Sequence, residues 1–209
     1  MHLRTTLAVV MLAGGGAALA LAAEAITQNQ SVQLAVEGSA SFTVDTNIPA
    51  VSIEGKSSAL KARVSAHREP AGLQIDRIEA SVPVKTLQTG MGVRDEHMRK
   101  YIFTTKDGQT PDMQFVAENV TCNPGAQAAC NVAGNLTIRG VSHPFNVPLR
   151  VREERGGFKA AGESVIKLSD YNIEQPTQFG VKTSNQVQVR LDFNARQVAA
   201  QQTSGGGSR

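Results

Sequence analysis

The stretch VAGNLTIRGVSHPFNVPLRV, residues 132–151, decides the fold class of this chain. Apolar residues alternate with polar ones on both sides of Gly140. A period of two means that one face of each strand is buried and the other faces water. Gly140 tolerates a positive φ and therefore predicts a tight turn between two strands. Pro148 has no N–H to donate, so its strand is predicted to be an edge or to be bulged there. The stretch predicts a β-hairpin.

The same alternation continues through most of the chain. Short alternating runs separated by turn residues predict about eight or more strands, of which the last, around residues 186–195, is the most regular. Gly38-Ser39 predicts a turn between two early strands. The alternation changes phase near Asp76-Arg77, which predicts a β-bulge there. Such a series predicts an antiparallel barrel or sandwich, and an eight-stranded barrel can hold one small ligand.

One segment breaks the pattern. Residues 86–103 do not alternate, and their apolar residues have helical spacing. Asp95 and Glu96 come early and Arg99 and Lys100 late, which is the order that the helix dipole favours. The sequence therefore predicts one short helical insertion, from about Arg94 to Phe103.

The two ends of the chain are not expected to belong to the domain. Arg4, an apolar run and the Ala23-Glu24-Ala25 cleavage pattern predict a signal peptide over residues 1–25. The run is short for a membrane span and its glycines weaken a helix, so no integral span is expected in the mature chain. Residues 199–209 have low complexity and predict a disordered tail. The expected location is periplasmic or secreted.

The predicted export bears on the oxidation state of the two cysteines. Cys122 and Cys130 enclose a turn-rich loop, and in an oxidising compartment such a pair is expected to form a disulfide. The small loop implies a stabilisation of at most about 2–3 kcal/mol. Neither a C-x-x-C spacing nor further ligands suggest a metal site or a redox centre.

Composition and motifs argue against several function classes. A net charge of +3, aromatic content of 4% and the absence of Trp disfavour binding of nucleic acid or carbohydrate. His67, His97 and His143 stand far apart, without a nucleophile motif or zinc-ligand spacing. No catalytic residue, metal or cofactor is therefore expected.

Several stretches together resemble the YceI family of exported lipocalin-like proteins. They are VRDEHMR at residues 93–99, leading to Phe103, PDMQF at residues 111–115, and residues 132–149 with their G-x-L-T-I-x-G-V-S-H-P core. Ser169-Asp170-Tyr171 and the alternating strand ending at Phe193 resemble the end of that family. The resemblance covers about residues 39–193. Gly38-Ser39 stands where the family commonly has His-Ser, and Asn172 stands where it often has glycine.

The resemblance implies a fold and a function. The fold is an extended antiparallel lipocalin-like β-barrel over residues 26–198, enclosing a long apolar cavity. Members are associated with polyisoprenoids or other long-chain amphiphiles and are described as periplasmic binding or transport proteins, not enzymes. The expected partner is a long-chain isoprenoid or fatty amphiphile, and a homodimer is left open.

The residues expected to line the cavity are mostly large and apolar. They are Phe42, Val44, Val51, Ile53, Met98, Phe103, Phe115, Leu136, Ile138, Phe145 and Phe179. Arg94 and His97, on the helical insertion, are candidate contacts to an anionic head group. The alternative, which we favour, is that Arg94 and Asp95 fix this insertion to the barrel rim.

A rival hypothesis is a stress-related structural or interaction protein whose barrel is filled by its own side chains, since native interiors leave few voids. The phenylalanines of the strands and loops could fill such a core. Small residues such as Ala62, Ala66 and Ala80 would instead leave room. The volume of the interior discriminates between the two hypotheses.

Overall fold

The computed structural model describes residues 31–69, 72–123 and 128–198. The predicted signal peptide over 1–25 and the predicted tail over 199–209 lie outside the described residues. Within the described ranges, no helix has the length and apolar character needed to cross a membrane.

The described chain consists mainly of long strands. They are β1 Ser31–Thr46, β2 Ser52–Glu69, β3 Gly72–Val82, β4 Met113–Val120, β5 Cys122–Asn123, β6 Ala128–Ile138, β7 Val141–Glu154, β8 Gly157–Lys167, β9 Thr177–Gln178 and β10 Val181–Val198. The helical parts are α1 Gly92–Met98, a π-helical turn Arg99–Phe103, and two 3₁₀ turns, Val84–Thr86 and Leu168–Tyr171.

Eight of these strands form a closed up-and-down barrel. Neighbours follow the order β1-β2-β3-β4-β6-β7-β8-β10, every pair is antiparallel, and β1 pairs with β10 to close the ring. The short strands β5 and β9 pair with β6 and β10 respectively. Closure gives each of the eight strands a partner on both sides, which is how a barrel avoids edge-to-edge association. The barrel prediction is confirmed, and a sandwich of two separate sheets is excluded.

The hairpin of residues 132–151 forms as its alternation predicts. Ile138 pairs with Val141, so Arg139 and Gly140 form a two-residue turn with φ of 53° and 77°. Positive φ at both positions is the type I′ arrangement that matches the twist of the strands. Pro148 lies immediately before Leu149, where the pairing of β7 with β8 begins. Its missing N–H therefore falls just before that pairing starts. β7 lies between β6 and β8 and has no register shift at Pro148, so the prediction of an edge or a bulge there is wrong.

The two predicted irregularities have different outcomes. Arg77 pairs with Ser65 and Ile75 with Ala66, so Asp76 is the extra residue of a β-bulge, as predicted. The predicted turn at Gly38-Ser39 is wrong, because β1 continues through it to Thr46. The register with β2 shifts between Gly38 and Ala40, where Ser39 opposes two residues of β2, so the irregularity is a bulge in β2 and not a turn in β1.

The helical insertion and the disulfide also agree with expectation. The helical residues run from Gly92 to Phe103, two residues earlier than predicted at the start. Cys122 and Cys130 face each other across β5 and β6 and are joined by an S–S bond of 2.04 Å.

The barrel has two different ends. The "helical end" carries the connecting segments 47–51, 83–112, 139–140 and 168–180. The "disulfide end" carries Cys122–Cys130 and the β7–β8 turn. Under the helical insertion, a buried cluster that includes Val84, Met98 and Tyr171 packs against the barrel. This packing fixes the insertion over one end of the barrel.

Candidate functional site: an apolar cavity inside the barrel

The barrel encloses a cavity of about 1760 Å³. Its wall is built from the inward phase of the alternating strands, so side chains two residues apart, such as Leu34 and Val36, share it. Ligand pockets for small molecules are usually about 300–1,000 Å³. The interior is therefore larger than an ordinary pocket and is not filled by the protein's own side chains. The self-filled barrel of the rival hypothesis does not describe this structure.

Two of the three alanines that were expected to leave room inside the barrel line the cavity. Ala62 on β2 pairs with Ala80 on β3, and both line the cavity. Ala66 is fully buried and is not part of the cavity wall. A patch of two paired alanines keeps this side of the barrel open, because neither side chain extends beyond Cβ.

Most of the residues predicted for the cavity lie on its wall. Nine of them line it inside the barrel or under the helical insertion: Phe42, Val44, Ile53, Met98, Phe103, Phe115, Leu136, Ile138 and Phe145. Phe115 and Phe145 meet edge to face with their ring centroids 6.0 Å apart, a favourable aromatic geometry. These side chains give the wall its apolar character.

Two predicted residues lie elsewhere. Val51 does not line the cavity and is 45% exposed, because it lies in the loop between β1 and β2. Phe179 borders the mouth of the cavity but is 97% exposed, since it lies at the tip of the β9–β10 hairpin. In the sequence Val51 alternates with Ile53, whereas Phe179 stands in an irregular segment, and strand periodicity does not extend into loops.

The prediction also missed part of the wall. Further apolar side chains come from β3, β8 and β10: Ile75, Ile78, Ile166, Val187, Val189, Leu191 and Phe193. The signal was present, because the residues on β10 occupy alternate positions of the most regular strand in the sequence. Taking every residue on the inward phase, and not only the largest ones, would have found them.

Arg94 and Asp95 tie the helical insertion together through Thr89. The Asp95 carboxylate accepts hydrogen bonds from the Thr89 backbone N–H at 2.7 Å and from the Thr89 hydroxyl at 2.5 Å. Arg94 donates from Nε to the Thr89 hydroxyl oxygen at 2.8 Å and from Nη2 to the Thr89 carbonyl at 2.7 Å. Arg99 donates to the carbonyl of Leu87 at 3.3 Å. These contacts are internal to the connecting segment 83–112, so they brace the insertion and do not themselves join it to a strand of the barrel rim.

Arg94 also borders the cavity. Its Nη1 has no hydrogen-bond partner among the described residues. His97 borders the cavity as well, and its ring meets that of Tyr101 edge to face at 5.3 Å. Arg139, in the type I′ turn, is a third basic side chain at the helical end that borders the cavity. A residue in a turn gives no periodic signal, so the sequence did not indicate it.

The environment of Asp95 favours its ionised form. Burial acts to raise the pKa of this carboxyl, but the two hydrogen bonds from Thr89 and the charges of Arg99 and Arg94 outweigh it and lower the pKa. A lowered pKa stabilises the fold at pH values above the ordinary pKa of 3.8, and this stabilisation disappears as the pH falls through the lowered value.

Replacing Asp95 by asparagine is therefore expected to reduce the free energy of unfolding by about 1–2 kcal/mol at neutral pH, as the charge-assisted hydrogen bonds weaken. The difference from the wild type should shrink below pH 3.8. Urea denaturation at pH 7 and pH 3 measures it. Glu96→Gln is the matched control, because Glu96 is an exposed neighbour. Equal losses in the two variants would contradict the role given to Asp95.

The comparisons with known proteins agree with this architecture. The family model described as "YceI-like domain" matches residues 27–195. The chain belongs to the YceI family. No curated protein sequence matches it. This YceI-like domain is nevertheless similar to several solved structures.

Three of these structures come from different bacteria. A polyisoprenoid binding domain from Saccharophagus degradans, implicated in plant cell wall breakdown, has a TM-score of 0.60 at 16% identity over 79% of this chain and 98% of its own. BcnA from Burkholderia cenocepacia has a TM-score of 0.56 at 22% identity, over 78% and 95%. The YCEI protein of Campylobacter jejuni has a TM-score of 0.56 at 18% identity, over 74% and 90%. At these identities the likeness concerns the fold.

The polar groups of this YceI-like domain differ between the two ends of its cavity. At the helical end, Arg94 and Arg139 border the cavity together with one carboxylate, Glu174. At the other end, Glu69 borders it. Glu69 and Asp76 accept hydrogen bonds from His67, and these contacts raise the pKa of the histidine. The helical end is the more basic of the two.

The lining offers little for covalent chemistry. Among the described residues, no group of three His, Cys, Asp or Glu side chains is placed to hold a metal ion. The wall is mainly apolar, and its charged groups lie at its two ends. Such an arrangement suits the burial of a long apolar molecule with a polar terminus.

Proposed function

We propose that this YceI-like protein is an exported carrier that sequesters one long-chain amphiphile, a polyisoprenoid or a similar lipid, inside its barrel. The single observation that carries the proposal is the apolar cavity of about 1760 Å³. Burial of each methylene contributes roughly 0.8 kcal/mol. A chain of about ten such units reaches micromolar affinity or better after the cost of association. Binding, and not catalysis, is the activity that this cavity supports.

The cavity wall would hold the apolar chain. We propose Phe42, Val44, Ile53, Met98, Phe103, Phe115, Leu136, Ile138 and Phe145 as its contacts, since each lines the cavity. The polar head would lie at the helical end. Arg94 is a suitable contact there, because Nη1 remains available while Nε and Nη2 hold Thr89. His97 is the second proposed contact to the head.

The comparisons lend further support. One neighbour is described as a polyisoprenoid binding domain, and it shares the fold of this chain. The Cys122–Cys130 disulfide fits an oxidising compartment, in agreement with cleavage of residues 1–25 and a periplasmic or secreted location.

Lipid analysis of the protein from its own host tests the proposal. Native mass spectrometry should show an added mass on the exported protein, and solvent extraction should release an isoprenoid or fatty compound. Purified protein should also take up a long isoprenoid alcohol or phosphate offered in detergent. Protein that is uniformly empty, and that takes up neither an isoprenoid nor a fatty compound, would exclude a carrier function.

A further inference from the structure

Exposed apolar side chains are concentrated at one end of the barrel. Eight large apolar side chains among the described residues are exposed, and six of them lie on three connecting segments of the helical end. We call these six the apolar rim: Ile48, Val51, Met91, Val93, Tyr101 and Phe179. The other two, Val165 and Val198, lie on strands. Scattered exposed apolar residues need no explanation, but a group of six around one opening does.

The rim surrounds the mouth of the cavity. Met91, Tyr101 and Phe179 both border the cavity and are exposed to solvent, at 55%, 61% and 97%. The loop that carries Ile48 is fastened to the hairpin that carries Phe179. Asn47 donates from its backbone N–H to the Lys182 carbonyl at 2.9 Å, and its side-chain oxygen accepts from the Lys182 N–H at 2.8 Å. The loop of residues 47–51 and the hairpin of residues 177–182 are therefore held together, and Met91, Tyr101 and Phe179 connect the rim to the cavity mouth.

Phe179 contributes nothing to the fold that explains its presence. Gln178 pairs with Val181, so Phe179 and Gly180 form a two-residue turn with φ of 50° and 79°. The first position of such a turn favours Asn, Asp or Gly, and a bulky aromatic residue is uncommon there. Almost the whole side chain is in water. A residue that is both strained and fully exposed indicates a contact outside the molecule.

We propose that the apolar rim inserts into the interfacial layer of a lipid bilayer that contains anionic lipid. The proposal rests on the proposed function, because a lipid ligand would then pass directly between the membrane and the cavity mouth. Aromatic side chains such as Phe179 and Tyr101 suit the boundary between head groups and acyl chains. The docked molecule would face the bilayer with its helical end.

The charges of the rim segments agree with this partner. Among the charged side chains of residues 47–51, 91–101 and 177–182, the exposed ones are Lys100 and Lys182 against Glu96. Arg94 and Arg99 are half-buried and donate to the Thr89 and Leu87 carbonyls, and Asp95 is buried. Basic residues beside an apolar surface strengthen binding to anionic lipid by roughly 1 kcal/mol each.

Vesicle flotation of the purified exported protein, which is expected to lack residues 1–25, tests the proposal. The wild type should float with phosphatidylethanolamine–phosphatidylglycerol vesicles, and less with phosphatidylcholine vesicles. Phe179→Asn should weaken the partition coefficient by about tenfold or more, since a large apolar side chain no longer leaves water. The fold should not suffer, because Asn accepts the positive φ of this turn. Val165→Thr, on the barrel wall, should leave flotation unchanged.

A second variant separates docking from ligand binding. Ile48 and Val93 belong to the rim but do not line the cavity. Ile48→Ser with Val93→Ser should float about tenfold less well and still take up an isoprenoid from detergent at the wild-type level. Flotation that depends on the rim in a protein that never takes up lipid would support docking while excluding the carrier function.

Two results would overturn the inference. One is a wild type that floats with neither vesicle composition, whether or not it carries a lipid. The other is a Phe179→Asn variant that floats as well as the wild type. If that variant is also a monomer on size exclusion where the wild type is a dimer, the rim is a contact with a second copy of the chain.

Discussion

Ala80→Trp is expected to weaken the binding of a long isoprenoid at least a hundredfold while the barrel stays folded. Ala80 lines the cavity between Ala62 on β2 and Phe115 on β4. Ala80 packs against the cluster of Ala40, Leu60 and Val82, and the larger side chain would project past it into the open volume of the cavity. It would occupy the space of roughly five methylenes of the ligand, each contributing about 0.8 kcal/mol. A ligand that bends around the indole recovers part of this loss, which is why a hundredfold is the expected minimum.

The matched control places the same side chain on the other face of the wall. Ala161 on β8 is exposed, and its strand neighbours are Arg150 and Asp192. Ala161→Trp should bind the ligand as the wild type does. The native chain contains no tryptophan, so each variant also carries a single fluorophore. Titration with an isoprenoid at concentrations near the wild-type Kd should leave the emission of both variants unchanged. Ala80→Trp binds too weakly to be occupied there, and the indole of Ala161→Trp lies outside the barrel.

The outcome bears on the proposed function itself. Wild-type affinity in Ala80→Trp would mean that the ligand does not use the volume beside Ala62 and Ala80. Loss of affinity in both variants would point to a general effect of tryptophan on the barrel. Isothermal titration with a long isoprenoid phosphate, together with thermal melting of each variant, distinguishes these cases.

The fold could be predicted because strand alternation is a local signal. In the hairpin of residues 132–151, each inward side chain follows from its neighbours two positions away, and Gly140 marks the turn. The bulge at Asp76 was predictable for the same reason, since one extra residue reverses the phase of everything after it. Closure between β1 and β10 is not local, and the resemblance to the YceI family supplied it.

The cavity could be predicted only in part. Alternation shows which side chains point inward, but not how far apart the walls stand, so it cannot separate a filled barrel from an open one. The paired positions of Ala62 and Ala80 depend on the register of β2 with β3. Loop residues escaped the pattern altogether. Val51 and Phe179 are apolar and were expected inside, yet their segments run outside the barrel.

The contacts of the helical insertion escaped prediction for another reason. Arg94 was a candidate contact to a head group, but which of its nitrogens is available depends on Thr89, which lies five residues earlier in a segment without periodicity. A hydrogen bond between such segments is set by tertiary packing. The sequence therefore indicated residues that border the cavity and left their roles open.

Gly38 suggests a turn in the sequence because a glycine followed by a serine is typical of turns. The structure gives another reason for glycine at this position. β1 runs past it between β2 and β10, and a Cβ atom added there would lie 2.3 Å from the Asp192 carbonyl oxygen and 2.4 Å from Cβ of Phe193. Both atoms belong to the neighbouring strand, which closes the barrel. The absence of a side chain thus allows β1 and β10 to approach where the ring is completed.

Gly38→Ala is therefore expected to reduce the free energy of unfolding by about 3 kcal/mol or more, since overpacking against a strand backbone forces the strands apart and weakens their hydrogen bonds. This is a large part of the total, as native domains are stable by about 5–15 kcal/mol.

Gly92→Ala is the matched control. No atom lies within 4 Å of a Cβ added at Gly92, and that residue begins α1. It should be neutral or stabilising by up to about 1 kcal/mol, because alanine favours a helix. Urea denaturation followed by circular dichroism measures both variants. If Gly38→Ala were as stable as Gly92→Ala, the close approach of β1 and β10 would not be what requires glycine at this position.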